Sequence, residues 1–460
     1  MAHAQLTLPQ DKLDIGGLAA RLGLPALLVG ILALALAAGI SFSMPPAYAG
    51  QYTDLTTHFF HAYLAAYVFF MAITLGALAF VIIQHLTRAG WSVTVRRVAE
   101  GLILNFYLLV MLAFPFFIKV HGNDGVHRLF PHWFFPASRQ HDEILLAKWG
   151  YLNPQFFALR MGVYFVVWCL LAWFYSTQSA RQDHDGNPRT TLLQERLSAP
   201  AIIVYAFSLT AFIIDWVMAL NPHWFSTIFG VYFFAGCMLS GFAALVLLLL
   251  TLQQRGLIGH AVNDEHYHDL GKFMFAFTFF WGYIAFSQYM LIWYANMPEE
   301  TQFYIPRQWE SWASVSLLLL IVHLLIPFPG LLSRQVKRQN GVLAFWAVWS
   351  LAACALDVCW LVLPSQWINR VPEMAGDERM LLPGALAKLA DTHDIYKVAN
   401  PDFAQAVNFP LTPLPLAITA LCFVGLGGLY VFSTMLALRG KPLVPVRDPR
   451  LNEALAFENI

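Results

Sequence analysis

The sequence has few charged residues. Asp, Glu, Lys and Arg make up only 12% of the 460 residues, against roughly 25% in an ordinary soluble domain. Hydrophobic residues make up 58%, so a soluble fold would have too few polar groups to cover its apolar surface. The balance of 27 basic and 27 acidic residues excludes a basic nucleic-acid-binding protein, and the high hydrophobicity excludes a disordered chain. The composition therefore predicts a polytopic membrane protein.

Cysteine is also scarce. The five cysteines include no C-x-x-C pair and no C-x-x-C-H sequence, which excludes the usual sequences for an iron–sulfur cluster or a covalently attached haem. All five lie within apolar stretches, as small buried hydrophobic residues do. Motifs for nucleotide hydrolysis, dinucleotide binding and zinc proteolysis are absent from the sequence as well. We expect no covalently bound cofactor and no metal site in this chain.

Long apolar runs make up most of the chain. About 20 apolar residues are needed to cross the hydrocarbon core of a membrane as a helix. Ten stretches are long enough, and Pro or Gly residues mark most of their boundaries. The ten predicted helices, numbered in chain order, cover approximately residues 22–42, 57–86, 98–118, 155–178, 199–220, 227–252, 272–296, 309–332, 341–363 and 411–438.

Lys and Arg residues are unevenly distributed between the two sides of the predicted bundle. With the N-terminus inside, most basic residues fall on the cytoplasmic side, and the short outer loops 43–56 and 221–226 carry none. Because cytoplasmic loops of membrane proteins are rich in Lys and Arg, both termini are predicted to be cytoplasmic. The first apolar run is longer than the core of a signal peptide, so we expect it to be retained as a helix.

A weak internal repeat relates two parts of the chain. Helices 5 and 9 each carry an Asp seven residues before a Pro, namely Asp215 and Asp357. Helices 2 and 6 can be matched around Gly76 and Gly241. These matches predict an all-α fold of two pseudo-symmetric four-helix bundles, helices 2–5 and helices 6–9, flanked by helices 1 and 10. Their pseudo-two-fold axis would lie along the membrane normal.

The repeat divides the chain into five parts. These are a cytoplasmic N-terminus with the first helix at 1–50, a first bundle at 51–222 with a long outer loop at 119–154, a second bundle at 223–368, an outer loop at 369–409, and the last helix with a basic cytoplasmic tail at 410–460. Both long loops are rich in Pro and aromatic residues. Because exposed aromatic residues at this density are normally covered, the loops are expected either to dock partner proteins or to form lids.

Ionisable side chains within the predicted helices are candidates for function, because each costs at least about 2.5–3.5 kcal/mol near the membrane centre. Asp215 and Asp357 lie roughly 10 Å from the outer ends of their helices, at about 1.5 Å per residue. Arg160 in helix 4 lies at a similar depth, and an Arg160–Asp215 ion pair would reduce the cost of burying both groups. The pair could serve function or simply join helices 4 and 5.

Three further polar residues lie within or near the helices. Glu100 and Lys272 lie near the inner ends of helices 3 and 7, at equivalent positions of the two proposed bundles, where they could serve a proton route or lie at the membrane interface. His323 lies deep in helix 8. Its alternative roles are a hydrogen-bonded core residue, a proton relay and a haem ligand. His61, at the outer end of helix 2, lies at the wrong depth to share a haem with it.

Two stretches of sequence resemble a known family. They are "HYHDLGKFMFAFTFFWGYIAFSQYMLIWYANMPEET" at 266–301 and "DWVMALNPHWFSTIFGVYFF" at 215–234. Both are similar to the ActF family of membrane subunits of bacterial alternative complex III, which belongs with the NrfD and polysulfide-reductase type. The resemblance covers most of the membrane domain. It implies two four-helix bundles in a bacterial inner-membrane complex that oxidises quinol and reduces an electron acceptor such as cytochrome c.

The resemblance also implies partners and cofactors. Haems and iron–sulfur clusters would belong to partner subunits, namely c-type haem subunits and an iron–sulfur subunit. A further partner would be an ActC-like membrane paralogue with the main quinol site, and some complexes also include a terminal oxidase. ActF-like subunits are thought to contain polar half-channels for protons. Asp215 matches the Asp-Trp motif of the family, and Lys272 and Gln288 fall in its signature. The quinol-binding paralogue carries an acidic residue near Gln288, which argues against direct quinol oxidation here.

The leading hypothesis is a non-redox membrane subunit of a quinol-oxidising complex that provides a proton route and anchors redox partners. The candidate residues for the route are Asp215, Asp357, His323, Glu100 and Lys272. A second hypothesis is a menaquinone or ubiquinone site in this chain, for which Arg160, His61 and Gln288 are the candidate residues. A purely structural anchor and a secondary transporter are further alternatives. Membrane lipid is the remaining expected partner, and nucleic acid is not expected.

Overall fold

The computed structural model describes residues 13–43, 54–134, 142–368 and 408–458. Within these residues, ten helices are long and apolar enough to cross a membrane. They are α1 (Gly16–Ser43), α2 (Leu55–Leu86), α3 (Gly90–Phe117), α4 (Pro154–Asp185), α5 (Pro188–Leu220), α6 (Phe229–Gln254), α7 (Asp264–Ala295), α8 (Glu310–Gly330), α9 (Asn340–Val362) and α10 (Pro413–Leu438). The prediction of an all-α polytopic membrane protein is confirmed.

Shorter elements connect these helices. Helical turns cover Gly125–Leu129, Pro131–Phe134, Glu143–Lys148, Gly259–Ala261, Pro298–Thr301, Ile305–Gln308, Arg334–Arg338, Ser365–Ile368, Phe409–Leu411 and Leu451–Leu455. A two-stranded antiparallel ladder pairs β1 (Lys119–Val120) with β2 (Asn123–Asp124). The predicted outer loop 119–154 therefore contains a hairpin and short helices. The predicted loop 369–409 lies almost entirely outside the described residues, so its docking or lid role stays a prediction.

The long helices alternate in direction, so the bundle has two ends. We call the end where α1 begins and α10 ends the tail face, and the opposite end, where α2 begins and the β1–β2 hairpin lies, the loop face. Helix α1 packs along α10, and Leu443 beyond α10 bonds to Leu13 before α1. The tail face corresponds to the predicted cytoplasmic side, and this orientation stays a prediction.

Helix α2 lies at the centre of the molecule. Its most apolar stretch is 94% buried, and it contacts α3, α5, α6, α9 and α10. Its approach to α6 is close, because a methyl group on Gly76 would lie 1.9 Å from the carbonyl oxygen of Cys237. Gly241 of α6 lies directly against Gly76. The two glycines matched by the repeat thus touch each other, as residues near a two-fold axis would, while the two-bundle symmetry itself stays a prediction.

The residues after α10 fold back across the tail face. Asp448 forms an ion pair with Arg96 of α3, with 2.7 Å between Oδ2 and Nη2. Farther along, the ring of Phe457 stacks against Trp91 at 6.0 Å between centroids. The carbonyl oxygen of Phe457 also accepts a hydrogen bond of 2.9 Å from Asn263 before α7. The C-terminal tail therefore joins α3 to the start of α7.

The contact between α2 and α6 gives a stability prediction. Gly76→Ala should destabilise the protein by about 1–3 kcal/mol, the usual range for overpacking a tight core, because the added methyl group meets backbone rather than a flexible side chain. Gly162→Ala in α4 is the matched control, since its methyl group would meet nothing within 4 Å. Thermal unfolding in detergent measures both. A melting temperature of Gly76→Ala equal to that of the control would contradict the contact.

Candidate functional site

Arg160 and Asp215 form the predicted ion pair. Helix α4 begins at Pro154, where the side chain of Asn153 caps it by accepting from the amide of Phe156 at 2.8 Å. This start places Arg160 opposite the end of α5, where its Nε donates to Oδ2 of Asp215 at 2.9 Å and its Nη2 donates to Oδ1 at 2.8 Å. Asp215 is fully buried, so losing its partner would leave a charge without compensation. This rigid pair links α4 to α5.

Asp357 is buried among neutral donors instead. Tyr232 of α6 donates its hydroxyl proton to Oδ1, and the indole N–H of Trp281 of α7 donates to Oδ2 at 3.2 Å. Arg307 acts on this carboxylate through space rather than through a hydrogen bond. A buried carboxylate held only by neutral donors has less compensation for its charge than Asp215 has.

His323 lies next to this group. It belongs to a single π-helical turn, Ile321–Leu325, within α8, and such turns are frequent at functional sites. Its ring stacks on Trp281 with 3.7 Å between centroids, and its Nε2 lies 3.7 Å from the sulfur of Cys354. Its Nδ1 is buried and has no hydrogen-bond partner among the described residues. Trp281 therefore connects His323 to Asp357.

A cleft of about 440 Å³ opens between α7 and α8 in front of Trp281. We call it the α7–α8 cleft; its walls are Tyr232, Trp281, Gly282, Ala285, Phe286, Gln288, Tyr289, Tyr304, Arg307, Gln308, Ser316, Leu317, Leu319, Leu320, Leu324 and Trp360. Phe286 and Leu317 at its edge are about 60% exposed. Because they lie on spanning helices, the cleft opens sideways, toward the lipid.

The polar wall of the cleft lies toward the loop face. Gln288 donates to the hydroxyl oxygen of Tyr304 at 3.1 Å and accepts from Ser226 at 3.0 Å. Burial raises the pKa of Tyr304 to about 12, so its hydroxyl stays a hydrogen-bond donor at neutral pH. Arg307 donates to the carbonyl oxygens of Trp360 and Leu361 at 3.0 and 2.8 Å. Burial lowers the pKa of this guanidinium from its usual range.

Glu100 lies at the other end of the bundle, in a buried charge cluster. Its carboxylate is 3.2 Å from Nε of Arg97 and 3.8 Å from Nε of Arg96. Each arginine makes a shorter contact with another carboxylate, at 2.7 Å in both cases. Arg97 pairs with Asp183 of α4, and Arg96 pairs with Asp448 of the tail. Neither oxygen of Glu100 accepts a well-aligned hydrogen bond from the described side chains, although the hydroxyl of Ser179 on α4 is near enough to interact with the carboxylate. Glu100 is thus the least compensated carboxylate of the cluster.

Two cavities lead to Glu100 from the tail face. The inner one holds about 10 Å³ and is lined by Arg97, Glu100, Gly101, Leu104, Ser176, Ala437, Leu438, Lys441 and Pro442. The outer one, which we call the vestibule, holds about 440 Å³ and is lined by Leu13, Asp14, Ala180, Asp183, His184, Gly440, Lys441, Pro442 and Val446. The inner cavity has about the volume that one water molecule needs. Lys441 and Pro442 line both cavities, so the vestibule borders the small cavity beside Glu100.

Buried polar side chains continue from Glu100 toward the membrane centre. Asn105 of α3 donates to the hydroxyl of Thr434 of α10 at 2.8 Å, and its amide oxygen is buried without a partner among the described side chains. One turn farther along α10, the hydroxyl of Tyr430 shares a hydrogen bond of 2.9 Å with that of Thr74 of α2. An otherwise apolar interior thus contains a short polar path.

The remaining candidates lie apart from these groups. Lys272 is 48% exposed and forms an ion pair of 2.5 Å with Asp269, so it is a surface residue of the tail face. The Nδ1 of His61 donates to the carbonyl oxygen of Thr57 on its own helix at 2.8 Å. Gln288 lines the α7–α8 cleft rather than joining Arg160. In the part of the chain that the structure describes, no group of three or more His, Cys, Asp or Glu residues could hold a metal ion.

Sequence reasoning missed several residues of these sites. Tyr232 stands nine residues before Gly241, as Tyr67 stands nine residues before Gly76, so the repeat contained a signal for it. Arg307 and Lys441 look like ordinary loop residues in the sequence, and only the fold brings them to the cleft and to Glu100.

Breaking the Arg160–Asp215 pair gives a second prediction. Arg160→Gln should destabilise the protein by about 3–5 kcal/mol, because it leaves the Asp215 carboxylate buried and unpaired. Adding Asp215→Asn should restore part of that loss by removing the charge. Thermal unfolding of the single and double variants in detergent measures this coupling. If the single and the double variant were equally stable, the loss in Arg160→Gln would not come from leaving the charge of Asp215 unpaired.

Comparison with known proteins finds no family model that matches the chain and no matching curated protein.

Proposed function

We propose that the chain is a multi-pass subunit of a quinol:electron-acceptor oxidoreductase of the bacterial inner membrane, akin to alternative complex III, and that it conducts protons through part of the membrane. The sequence resemblance supports the complex, and the buried carboxylates support the conduction of protons. Haems and iron–sulfur clusters would belong to partner subunits, which this chain would help to anchor.

The main support for a proton route is the position of Glu100. Its carboxylate is buried, lacks well-aligned donors among the described side chains, and borders a cavity with about the volume of one water. That cavity adjoins a vestibule of about 440 Å³ on the tail face. A carboxylate with access to water on one side and incomplete compensation can bind and release protons.

Asp357 supports a second part of the route, nearer the loop face. Its hydrogen-bond donors, Tyr232 and Trp281, are both neutral, so a proton can join the carboxylate without breaking an ion pair. His323 lies against the same indole ring. Asp215 differs, because Arg160 pairs with its carboxylate directly and fixes its position. We therefore assign the proton route to Glu100 and Asp357, and assign Asp215 to helix packing.

Proton stoichiometry tests this function. In the intact complex, Glu100→Gln or Asp357→Asn should lower the protons moved per electron while quinol oxidation continues, because the amides keep the shape and lose the proton. Asp185→Asn, at a half-exposed carboxylate on the tail face, is the matched control. Vesicles with an enclosed pH dye, supplied with quinol and an acceptor, measure the ratio.

Two outcomes would contradict the proposal. An unchanged ratio in both variants would mean that neither carboxylate carries protons. Purification of the chain alone, active as a transporter and without haem-containing partners, would refute its assignment to a redox complex.

A second candidate function is quinone binding by this chain. The observation that favours it is the α7–α8 cleft, which is apolar, flanked by aromatic rings and open to the lipid. A quinone ring is flat and its carbonyl oxygens accept hydrogen bonds, while its tail is apolar. Tyr304 accepts from Gln288 and Tyr289 accepts from Gln308, so both hydroxyl protons remain for a ligand. The guanidinium of Arg307 is occupied by backbone carbonyls, which disfavours a lipid phosphate.

Filling the cleft tests this candidate. Ala285→Trp should place an indole in the cleft and abolish labelling of the chain by a photoreactive ubiquinone analogue. Leu291→Trp is the control, because Leu291 lies on the same helix, is 60% exposed and does not line the cleft. Peptide mapping of the label measures the result. Equal labelling of both variants, or labelling confined to another subunit, would refute a quinone site in the cleft.

A further inference from the structure

Lys441 lies where the two cavities of the tail face meet. It follows the end of α10, and its side chain lines both the vestibule and the inner cavity beside Glu100. Its ammonium group forms no hydrogen bond or ion pair with the described residues, and it interacts with Glu100 and Arg97 through space. Pro442 also lines both cavities, but it has no group that titrates. Lys441 is therefore the titratable side chain between vestibule water and the buried carboxylate.

The charges around Lys441 leave it free to exchange a proton with Glu100. Arg97 is paired with Asp183 at 2.7 Å, and Arg96 is paired in the same way with Asp448. Glu100 keeps only the longer contacts with these arginines, at 3.2 and 3.8 Å, and Lys441 has no ion pair with the described residues. Transfer of a proton from the ammonium of Lys441 to Glu100 leaves the net charge of the cluster unchanged, so it avoids creating a new buried charge.

We propose that Lys441 relays protons between the water of the vestibule and the carboxylate of Glu100. This inference rests on the proposed function, in which Glu100 conducts protons, and it adds the residue through which Glu100 is loaded.

The relay consists of two proton transfers. The ammonium of Lys441 gives a proton, through a water in the inner cavity, to the carboxylate of Glu100; an N–H bond breaks and an O–H bond forms. The neutral amine then takes a proton from a hydronium ion in the vestibule, which leaves a water molecule. Burial lowers the pKa of the Lys441 ammonium, and Arg97 lowers it further, while Glu100 acts in the opposite direction. Lys441 therefore releases its proton more readily than a solvated lysine.

Other titratable groups also border the vestibule, namely Asp14, Asp183 and His184. Asp183 is held by Arg97, and these three groups do not line the inner cavity. A purely electrostatic role for Lys441 is the main competing explanation, because a fixed positive charge near Glu100 would also favour its ionised form. The two roles differ in one respect: a relay must lose its proton, whereas an electrostatic partner must keep it.

Infrared spectroscopy of the purified chain in detergent tests the relay without requiring the complex. The carboxyl band of Glu100, assigned by its loss in Glu100→Gln, is followed after a rapid drop in pH. Lys441→Met and Lys441→Arg should both slow protonation of Glu100 on the order of 100-fold, the lower range for removal of a general acid. Arg keeps the charge and does not release its proton, so it separates the relay from an electrostatic role. Lys272→Met, at an exposed lysine of the same face, should have no effect.

Chemical rescue provides a second readout. Methylamine should restore fast protonation of Glu100 in Lys441→Ala, because the vestibule can admit a small amine that replaces the missing group. It should have no effect on Lys441→Arg, in which the guanidinium still occupies the site. A loss of rate caused by misfolding would not respond to the amine.

The outcomes separate the two proposals. A Glu100 band that titrates at the normal rate in Lys441→Met and Lys441→Arg overturns the relay and leaves the proton route intact. Normal kinetics in Lys441→Arg alone would show an electrostatic role and would also overturn the relay. A Glu100 carboxyl that does not titrate in the unmodified chain overturns the proton route and the relay together.

Discussion

The cost of holding an ionised side chain away from water governs this structure. Each buried charge receives a different form of compensation. Asp215 has three hydrogen bonds from Arg160, Arg307 has backbone carbonyls and aromatic rings, and Asp357 has two neutral donors. Glu100 shares Arg97 with Asp183 and Arg96 with Asp448, so its charge too is incompletely compensated. Because a fully compensated charge is held in one state, the incompletely compensated groups are the ones suited to moving protons.

The fold places these groups at opposite ends of one continuous bundle. Helix α2 occupies the centre, and it makes a close contact with α6 at Gly76 and Gly241. The C-terminal tail completes the tail face by supplying Asp448 to the charge cluster and Lys441 to the wall of the vestibule. The end of the chain is therefore part of the proposed proton path, and it also joins α3 to the start of α7.

The sequence was sufficient to predict the features that depend on local physics. Ten apolar runs predicted ten long helices, because hydrocarbon requires helices of that length. The ion pair between Arg160 and Asp215 was also predictable, since two opposite charges at equal depth on consecutive helices have strong reason to meet. The environment of Glu100 was not predictable in this way. Asp448, which pairs with the neighbouring Arg96, lies 348 positions from Glu100 along the chain, and no periodicity relates a tail residue to an inner cavity.

Sidedness tests the central claim most directly. The chain is placed in vesicles of known orientation, the pH is changed on one side at a time, and the infrared carboxyl band of Glu100 is recorded. The proton route predicts that this band follows the pH on the tail face and ignores the pH on the loop face. A Glu100 band that follows the pH of the loop face, or of neither face, would contradict the account.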